Sequence, residues 1–511
     1  MGKSFRQYDP EQVLMLPPSI EDWLPDGHLA RFVSDVVEEL DLSEIQSSYD
    51  AKDGRGQAAY HPLMMVKVLL YGYCLGIVSS RKLERATHEN VAFRYLSANQ
   101  HPDHDTIAEF RRRHLSALSG LFLQGLRLCK QAGLVKLGHV ALDGTKIQAN
   151  ASLYKNRTYE KLSEQERQLV QQVEQMLAEA EQVDGAEDEK YGPGKRGDEL
   201  PPKLAEKQNR LATIREAKAE LERQAKEAAE REKAAAEQRL REREQREAEA
   251  GRTLPGRRPQ VPEVPAEPDP KAKINLTDPD SRIMGQRGKG FVQAFNAQAA
   301  VDREKQIIVA ADVTQDGHDR VQLVPMLEQV KQNNGAKPEQ VSADTGYYSP
   351  TQVASPSVAD IDLYIPPDEP PKKKEEAATE VGESQELASA EGPDEPPNKK
   401  EEAATGVGES QEPPSVEVPR PNRKKPRSGY GPDGMPRIEH LRQKLRTPEG
   451  KAIYAKRRET VEPVFGQIKE RRGFRRFLLR GVDKVRAEWR IICLTHNLLK
   501  LYRATWARQA A

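Results

Sequence analysis

Apolar positions recur at helical spacing through the first 130 residues. Leu29, Phe32, Val33, Val36, Val37 and Leu40 fall on one helical face. Leu63–Ile77 is apolar nearly throughout, interrupted by Lys67, and reads as a buried helix too short to span a bilayer. Ser79 and Ser80 stand where a cap would open a helix carrying Arg81, Lys82 and Arg85. Thr106 and Glu109 have capping-box spacing and predict the start of a helix that holds Phe110, Arg111, Arg112 and Arg113. Basic helical faces are compatible with DNA binding, and a solvated basic face on a packed helical domain fits them equally well.

The pattern then changes. Leu137–Leu142 predicts a short strand ending in Asp143, followed by Gly144, Thr145 and Lys146. Two charged helical segments come next, 156–183 and 203–250. One carries the stripe Leu162, Leu169, Val173, Met176 and Ala180; the other carries Leu204, Leu211, Ile214, Leu221, Ala225 and Ala228. With Gly192-Pro193-Gly194 and Pro201-Pro202 between them, they predict an antiparallel helical hairpin, a coiled coil. A Pro-rich linker spans 254–270. Phe291–Val301 and Gln306–Val313, joined by Asp302–Lys305, predict a β-hairpin. A helix is expected over Asp319–Val330. Gln340–Ala343 then predicts a strand ending in Asp344, and Leu363–Ile365 one more strand.

Residues 366–436 are rich in Pro, Glu, Lys and Ser and contain a duplication. DEPPKKKEEAATEVGESQE from Asp368 recurs as DEPPNKKEEAATGVGESQE from Asp394. That composition cannot bury a core and is expected to be disordered. A helix from about Thr447 through Glu470 should be kinked or split by Pro463. If it is continuous, Tyr454, Arg458, Glu462 and Lys469 share a face. An amphipathic helix, Val482–Tyr502, closes the pattern.

Composition narrows the class. Of 511 residues, 31% are charged and 36% hydrophobic, too polar for one globular core of this length. The net charge of zero conceals an uneven spread: residues 451–490 hold 13 Lys and Arg against 5 Asp and Glu, a net of +8. Cys74, Cys129 and Cys493 form no CxxC pair, which argues against a disulfide framework or structural zinc. The N-terminus lacks an apolar signal core, so the expectation is a cytoplasmic protein with no membrane partner.

Metal-assisted phosphodiester cleavage needs hard cations held by carboxylates on rigid elements. Any one of 80 acids is by default a solvated surface group. Asp143 and Asp344 depart from that default because each follows a short apolar strand and precedes a turn of small residues, and sites in α/β sheets form at the carboxyl ends of strands.

Several segments, in order, resemble those of bacterial insertion-sequence transposases of the DDE group. They are HPLMMVKVLLYGYCLGIVSSRKLERA (61–86), HDTIAEFRRRH (104–114), ALDGTKIQANAS (141–152), TDPDSRIM (277–284), FVQAFNAQAAVD (291–302), ADTGYYS (343–349) and RRETVEPVFGQIKERRGFRRFLLRG (457–481). The closest resemblance is to the insertion sequence 1182 type, related to the insertion sequence 4 and 5 group. It implies an α/β RNase H-like catalytic domain assembled from 131–155, 271–365 and 437–505. A helical N-terminal domain (1–130) would bind DNA, and 156–253 would be an inserted hairpin. Asp143, Asp344 and Glu462 would be the catalytic and metal-binding acids, with Mg2+ or Mn2+, two ions per site. In the related pattern Tyr, Arg, Glu and Lys share one helix: Arg458, Glu462 and Lys469 fit it, whereas Tyr454 suits Arg457 instead. Glu459 lies off that face.

DNA contacts are expected from Arg458, Lys469, Arg471, Arg472, Arg475, Arg476, Arg480, Arg111, Arg112 and Arg113. The DNA partners would be the element's terminal inverted repeats and the target, bound by a homodimer, with nucleoid association during action. A chain that binds DNA without cutting it is the alternative. His104, His318 and His496 lack partners at metal-ligand spacing and are expected to be structural or DNA-contacting. Asp280 is expected in a turn and Asp319 at a helix cap; a supporting place behind the metal-binding acids is open to either, and neither is expected to be catalytic.

Overall fold

The computed structural model describes residues 19–50, 58–191, 202–253, 256–263, 265, 267–286, 290–367 and 437–505. The duplicated segment from Asp368 and the Gly192–Gly194 turn lie outside the described residues, as does part of the Pro-rich linker.

The N-terminal stripes close on one another. Helices α1 (Leu29–Glu39), α2 (Ser43–Asp50), α3 (Pro62–Leu75), α4 (Ser80–Glu89), α5 (Val91–Leu96), α6 (His104–Arg113) and α7 (Leu115–Gln131) form this layer. α1 buries Phe32, Val33, Val36 and Val37, as its periodicity predicts. α3 is buried from Met64 to Cys74 apart from Lys67, and ends at Gly76 with φ +78°. A Cβ there would lie 2.2 Å from the Arg472 carbonyl oxygen, so the bare glycine lets the C-terminal segment pass against α3. No single helix among the described residues is long and apolar enough to cross a membrane.

α6 begins earlier than its sequence predicts. Asp103 is the cap: its carboxylate accepts from the Thr106 N–H at 2.7 Å and from its hydroxyl at 2.8 Å. Glu109, the expected second half of a capping box, is bound instead by Arg112 and Arg113.

The sheet strands are β1 (His139–Gln148), β4 (Arg282–Gln286), β5 (Gly290–Asp302), β6 (Ile307–Thr314), β7 (Gln340–Ser342) and β8 (Asp362–Tyr364). Between β1 and β4 lie a two-stranded ribbon of β2 (Asn156–Thr158) and β3 (Lys273–Asn275) and two long helices, α8 (Tyr159–Tyr191) and α9 (Pro202–Ala250). The expected β-hairpin forms as β5 and β6. Central β5 pairs antiparallel with β1 on one side and with β4 and β6 on the other, and β1 continues into parallel β7 and β8. Ala297, Ala299, Ala300, Ala310 and Ala311 keep β5 and β6 thin enough to be covered on both faces.

Helix α10 (Leu323–Asn334) follows β6, and α11 (Pro350–Val353) lies between β7 and β8. α12 (Arg437–Arg446), α13 (Pro448–Gly466), a π turn (Gln467–Arg471) and α14 (Val482–Thr505) complete the chain. α14 packs on α7, α3 and β6, so the N-terminal helices and the sheet share one hydrophobic cluster. Asn497 closes the edge of β6: its amide accepts from Ile308 N–H at 2.8 Å and donates to Ile308 C=O at 2.9 Å. Asp280 and Asp278 receive the N–H groups of Val482 and Gly481 at 2.9 and 3.1 Å, which fixes the start of α14. The three cysteines are free, buried thiols.

Pro463 does not split α13, which continues through it to Gly466. Proline removes the N–H that the carbonyl four residues back would accept. That carbonyl, on Glu459, accepts instead from the Gln306 side chain at 2.8 Å.

α8 and α9 pack antiparallel through Leu162, Leu169, Leu211, Ile214, Ala217 and Leu221. Glu166 meets Arg215 and Lys218, and Tyr159 donates to Glu222 at 2.8 Å.

Candidate active site

β1 does not stop at its acid. β5 pairs with it from Val140 to Gln148, whereas β7 covers only His139–Ala141. Asp143 therefore lies just past the end of its parallel neighbour. Asp344 lies two residues beyond β7, at the start of the 3-10 turn Thr345–Tyr347. Asp143, midway along β1, and Asp344, just beyond β7, thus lie together where the β1–β7 pairing ends.

Burial raises the Asp143 carboxyl to about 6, with Arg457 opposing and Asp344 and Asp319 adding to the rise. Asp344 is raised as well, first by burial and next by Asp319. Its Oδ1 is buried without a hydrogen-bond partner.

The cation facing Asp143 is Arg457, with Nη1 3.1 Å from Asp143 Oδ2. Sequence reasoning singled out Arg458 instead. The inward stripe of α13 is Ile453, Arg457, Val461, Val464 and on to Ile468 in the π turn, so Arg457 occupies a core position. A charged residue on an apolar stripe was the available signal. Arg458 and Glu462 point outward, 77% and 59% exposed, with Nε and Oε1 3.8 Å apart. Lys469 leaves that outer face: within the π turn its ammonium binds the Thr145 hydroxyl and the Lys146 carbonyl, the latter at 3.1 Å. The expected common face of Tyr454, Arg458, Glu462 and Lys469 therefore does not form.

Asp319 was expected to cap a helix. Its backbone carbonyl accepts from Gln322 N–H at 3.0 Å, but α10 starts at Leu323, and the Asp319 side chain turns into the site. Asp319 Oδ1 accepts from Asn296 Nδ2 at 2.7 Å and from Gln298 Nε2 at 2.6 Å, while Tyr347 donates to Gln298 Oε1. Lys146 is nearby: burial lowers its pKa, while Asp319, Asp344 and Asp143 hold its charge.

Two expected DNA contacts are corrected by burial. Arg472 is inside the core, donating to Thr495 Oγ1 at 2.7 Å, Ile492 O at 3.2 Å and Tyr73 O at 3.5 Å. Arg111 is buried and donates to Val78 O at 2.7 Å. Both side chains satisfy main-chain carbonyls where helices end or cross and have no surface for a phosphate. Arg112, Arg113, Arg471, Arg475, Arg476 and Arg480 are exposed. Arg476 and Arg480 border a cavity of about 520 Å3 that also takes in Gln148, Asn150, Lys155 and Phe291, beyond the end of β1.

His104 binds Glu84 at 2.8 Å, and exposed His318 lies beside Asp319. His496 is buried between Gln467 Oε1 at 2.9 Å and Gln306 O at 3.0 Å, and burial pushes its pKa down to about 3, so it is neutral.

Two protein-family models match the chain: a transposase domain (DUF772) over residues 18–113 and a transposase DDE domain over 262–498. The first covers the helical layer through α6. The second runs from before β3 into α14 and includes Asp319, Asp344 and Glu462, with Asp143 upstream of it. The chain is an insertion-sequence DDE transposase. Neither the curated proteins nor the solved structures give a match. The DDE domain implies an RNase H-like fold, and the mixed sheet with its helical N-terminal region is the form that this transposase gives it. The transposase cleaves and transfers DNA strands by in-line phosphoryl transfer, and its family uses divalent metal ions.

The donor chemistry fits such an ion at the two aspartates. Both offer carboxylate oxygens, and Asp344 Oδ1 is buried without a partner. Glu462 is engaged by Arg458 outside, and among the described residues no three His, Cys, Asp or Glu side chains form a ready-made metal cage. In this state Arg457 and Lys146 supply the positive charge that faces the acids.

Proposed function

We propose that Asp143, Asp344 and Glu462 are the carboxylates of strand cleavage and transfer, and that they hold two Mg2+ or Mn2+ ions. The observation that carries this reading is the Arg457–Asp143 contact, which ties the helix bearing Glu462 to the strand bearing Asp143 across 314 residues. Glu462 lies within electrostatic reach of Arg457, as do Asp143 and Asp344. Its pairing with Arg458 is an exposed i,i+4 contact. Such pairs contribute only about 0.3–0.5 kcal/mol, so a DNA phosphate can draw Arg458 away and free the glutamate.

The bound ions supply activation of the attacking oxygen and stabilisation of the leaving one. The chain's own residues do the rest. Arg457 neutralises Asp143 until substrate arrives. Lys469 holds Thr145, and with it the strand that carries Asp143. Arg458, Arg471, Arg475, Arg476 and Arg480 track the phosphates of the terminal repeat and target, and Arg112 and Arg113 extend this surface. The helical region before residue 130 binds DNA, α8 and α9 form a coiled-coil hairpin inserted into the catalytic domain, and a homodimer brings two element ends together.

Full-length protein with Mg2+ and terminal-repeat DNA tests the assignment. Asp143→Asn, Asp344→Asn and Glu462→Gln each abolish nicking, while Glu459→Gln does not. Unchanged nicking by Glu462→Gln would reject that residue's role.

A further inference from the structure

Both acids are followed closely by a glycine, Gly144 after Asp143 and Gly346 after Asp344. Neither glycine has a left-handed backbone, so conformation does not require them. Space does. A Cβ on Gly144 would lie 2.5 Å from Asp319 Oδ1, 2.5 Å from Gln298 Nε2 and 2.9 Å from Asn296 Oδ1. A Cβ on Gly346 would lie 3.0 Å from Asp344 Oδ1 and 3.6 Å from Asp319 Oδ2. The Asp319 carboxylate thus bridges the two motifs, with one oxygen over each glycine.

Its two oxygens differ. Oδ1 takes both amide donors, from Asn296 and Gln298, which fixes the plane of the carboxylate. Oδ2 and the partnerless Oδ1 of Asp344 both border Gly346. A second unsatisfied oxygen lies on the Gly144 side, where Asn296 Oδ1 would be 2.9 Å from a Gly144 Cβ. Asn296 is 0% exposed, its Nδ2 is turned toward Asp319 and Asp316, and its Oδ1 is buried with no donor. Each of these two oxygens is a buried acceptor that a water or an ion would satisfy, and the one on Asp344 shares the Gly346 side with Asp319 Oδ2.

We propose that Asp319 is a further cation-binding residue of the active site, held by Asn296 and Gln298 so that Oδ2 serves the divalent ion bound at Asp344. This rests on the reading that Asp143 and Asp344 bind that ion. Gly144 and Gly346 are then the clearance that lets one carboxylate reach both strands.

The test is Mn2+ titration of the full-length protein without DNA, following free Mn2+ by electron paramagnetic resonance, with thermal melting as a check on folding. Asp319→Asn is expected to weaken Mn2+ binding about tenfold or more, in the range that orienting partners of metal ligands command. Gly144→Ala, which removes no carboxylate but drives a methyl group into Asp319 Oδ1, is expected to weaken it in the same direction. Asp143→Asn serves as the control for the underlying reading. If Asp143→Asn loses Mn2+ while Asp319→Asn and Gly144→Ala bind as the parent does, the proposal is overturned and the two-aspartate reading stands. If Asp143→Asn binds Mn2+ as the parent does, the reading falls and the proposal with it. Should Asp319→Asn fail to melt cooperatively, Gly144→Ala decides.

Discussion

The side-chain amide of Gln306 donates to the carbonyl oxygen of Glu459 at 2.8 Å, 153 residues away. This is the carbonyl that Pro463 deprives of its helical partner. Gln306 adopts φ +58° at the end of the β5–β6 turn and also binds Lys500 at 2.6 Å and, through its carbonyl, His496. The sheet thereby mends the helix one turn before Glu462.

Gln306→Asn keeps a residue that tolerates the left-handed conformation but shortens the side chain beyond reach of Glu459. It is expected to cost about 0.5–1.5 kcal/mol in urea unfolding, the net value of one hydrogen bond, because Gln306 is partly exposed and water can reach the carbonyl. Strand cleavage should fall as well, because the turn that carries Glu462 loses its anchor.

Arg457 and Arg458 should separate cleanly. Arg457→Gln leaves Asp143 without its facing cation and is expected to lower strand cleavage roughly ten- to a hundredfold, the loss of a charge-assisted contact in a half-buried site. Arg458→Gln, 77% exposed, is expected to stay within about threefold. Single-turnover nicking with both variants measures the contrast.

The pH dependence has a defined sign. Burial raises Asp143 from 3.8 to about 6 in the folded protein. A raised carboxyl stabilises the metal-free fold while protonated, so its contribution is present below pH 4 and is lost as pH rises through about 6. Asp143→Asn should therefore melt above the parent at pH 7 without metal, with the gap closing toward pH 4. Metal-dependent cleavage should run the other way and fall below about pH 6, where Asp143 holds a proton in place of the ion.

Arginines of one basic run should behave differently. Arg476→Ala and Arg480→Ala are expected to reduce the slope of log affinity against log salt for terminal-repeat DNA by about 0.9 each, one phosphate apiece, with little effect on stability. Arg472→Ala is expected to leave that slope unchanged and to destabilise the fold by about 1–3 kcal/mol, because main-chain carbonyls lose their donor. Fluorescence anisotropy across a salt series, paired with urea unfolding, distinguishes the two classes.

What the sequence determined by itself was periodic or local. The stripe of α1, the apolar run of α3, the β5–β6 hairpin and the placement of Asp344 after a short apolar strand were legible because each follows from neighbouring residues, whereas the strand expected to end at Asp143 runs on to Gln148. Tertiary structure decided the rest. It chose Arg457 over its neighbour Arg458, because only the helix packed on β1 defines which side faces the acid. It withdrew Arg111 and Arg472 from the surface, because burial depends on which helices meet there. It turned Asp319 from a cap into a neighbour of both acids, through amides on β5 that lie more than 20 residues upstream. It carried α13 through Pro463, because the missing hydrogen bond was supplied from across the fold. In each case the deciding partner is distant in sequence, and the spacing of residues along the chain holds no record of it.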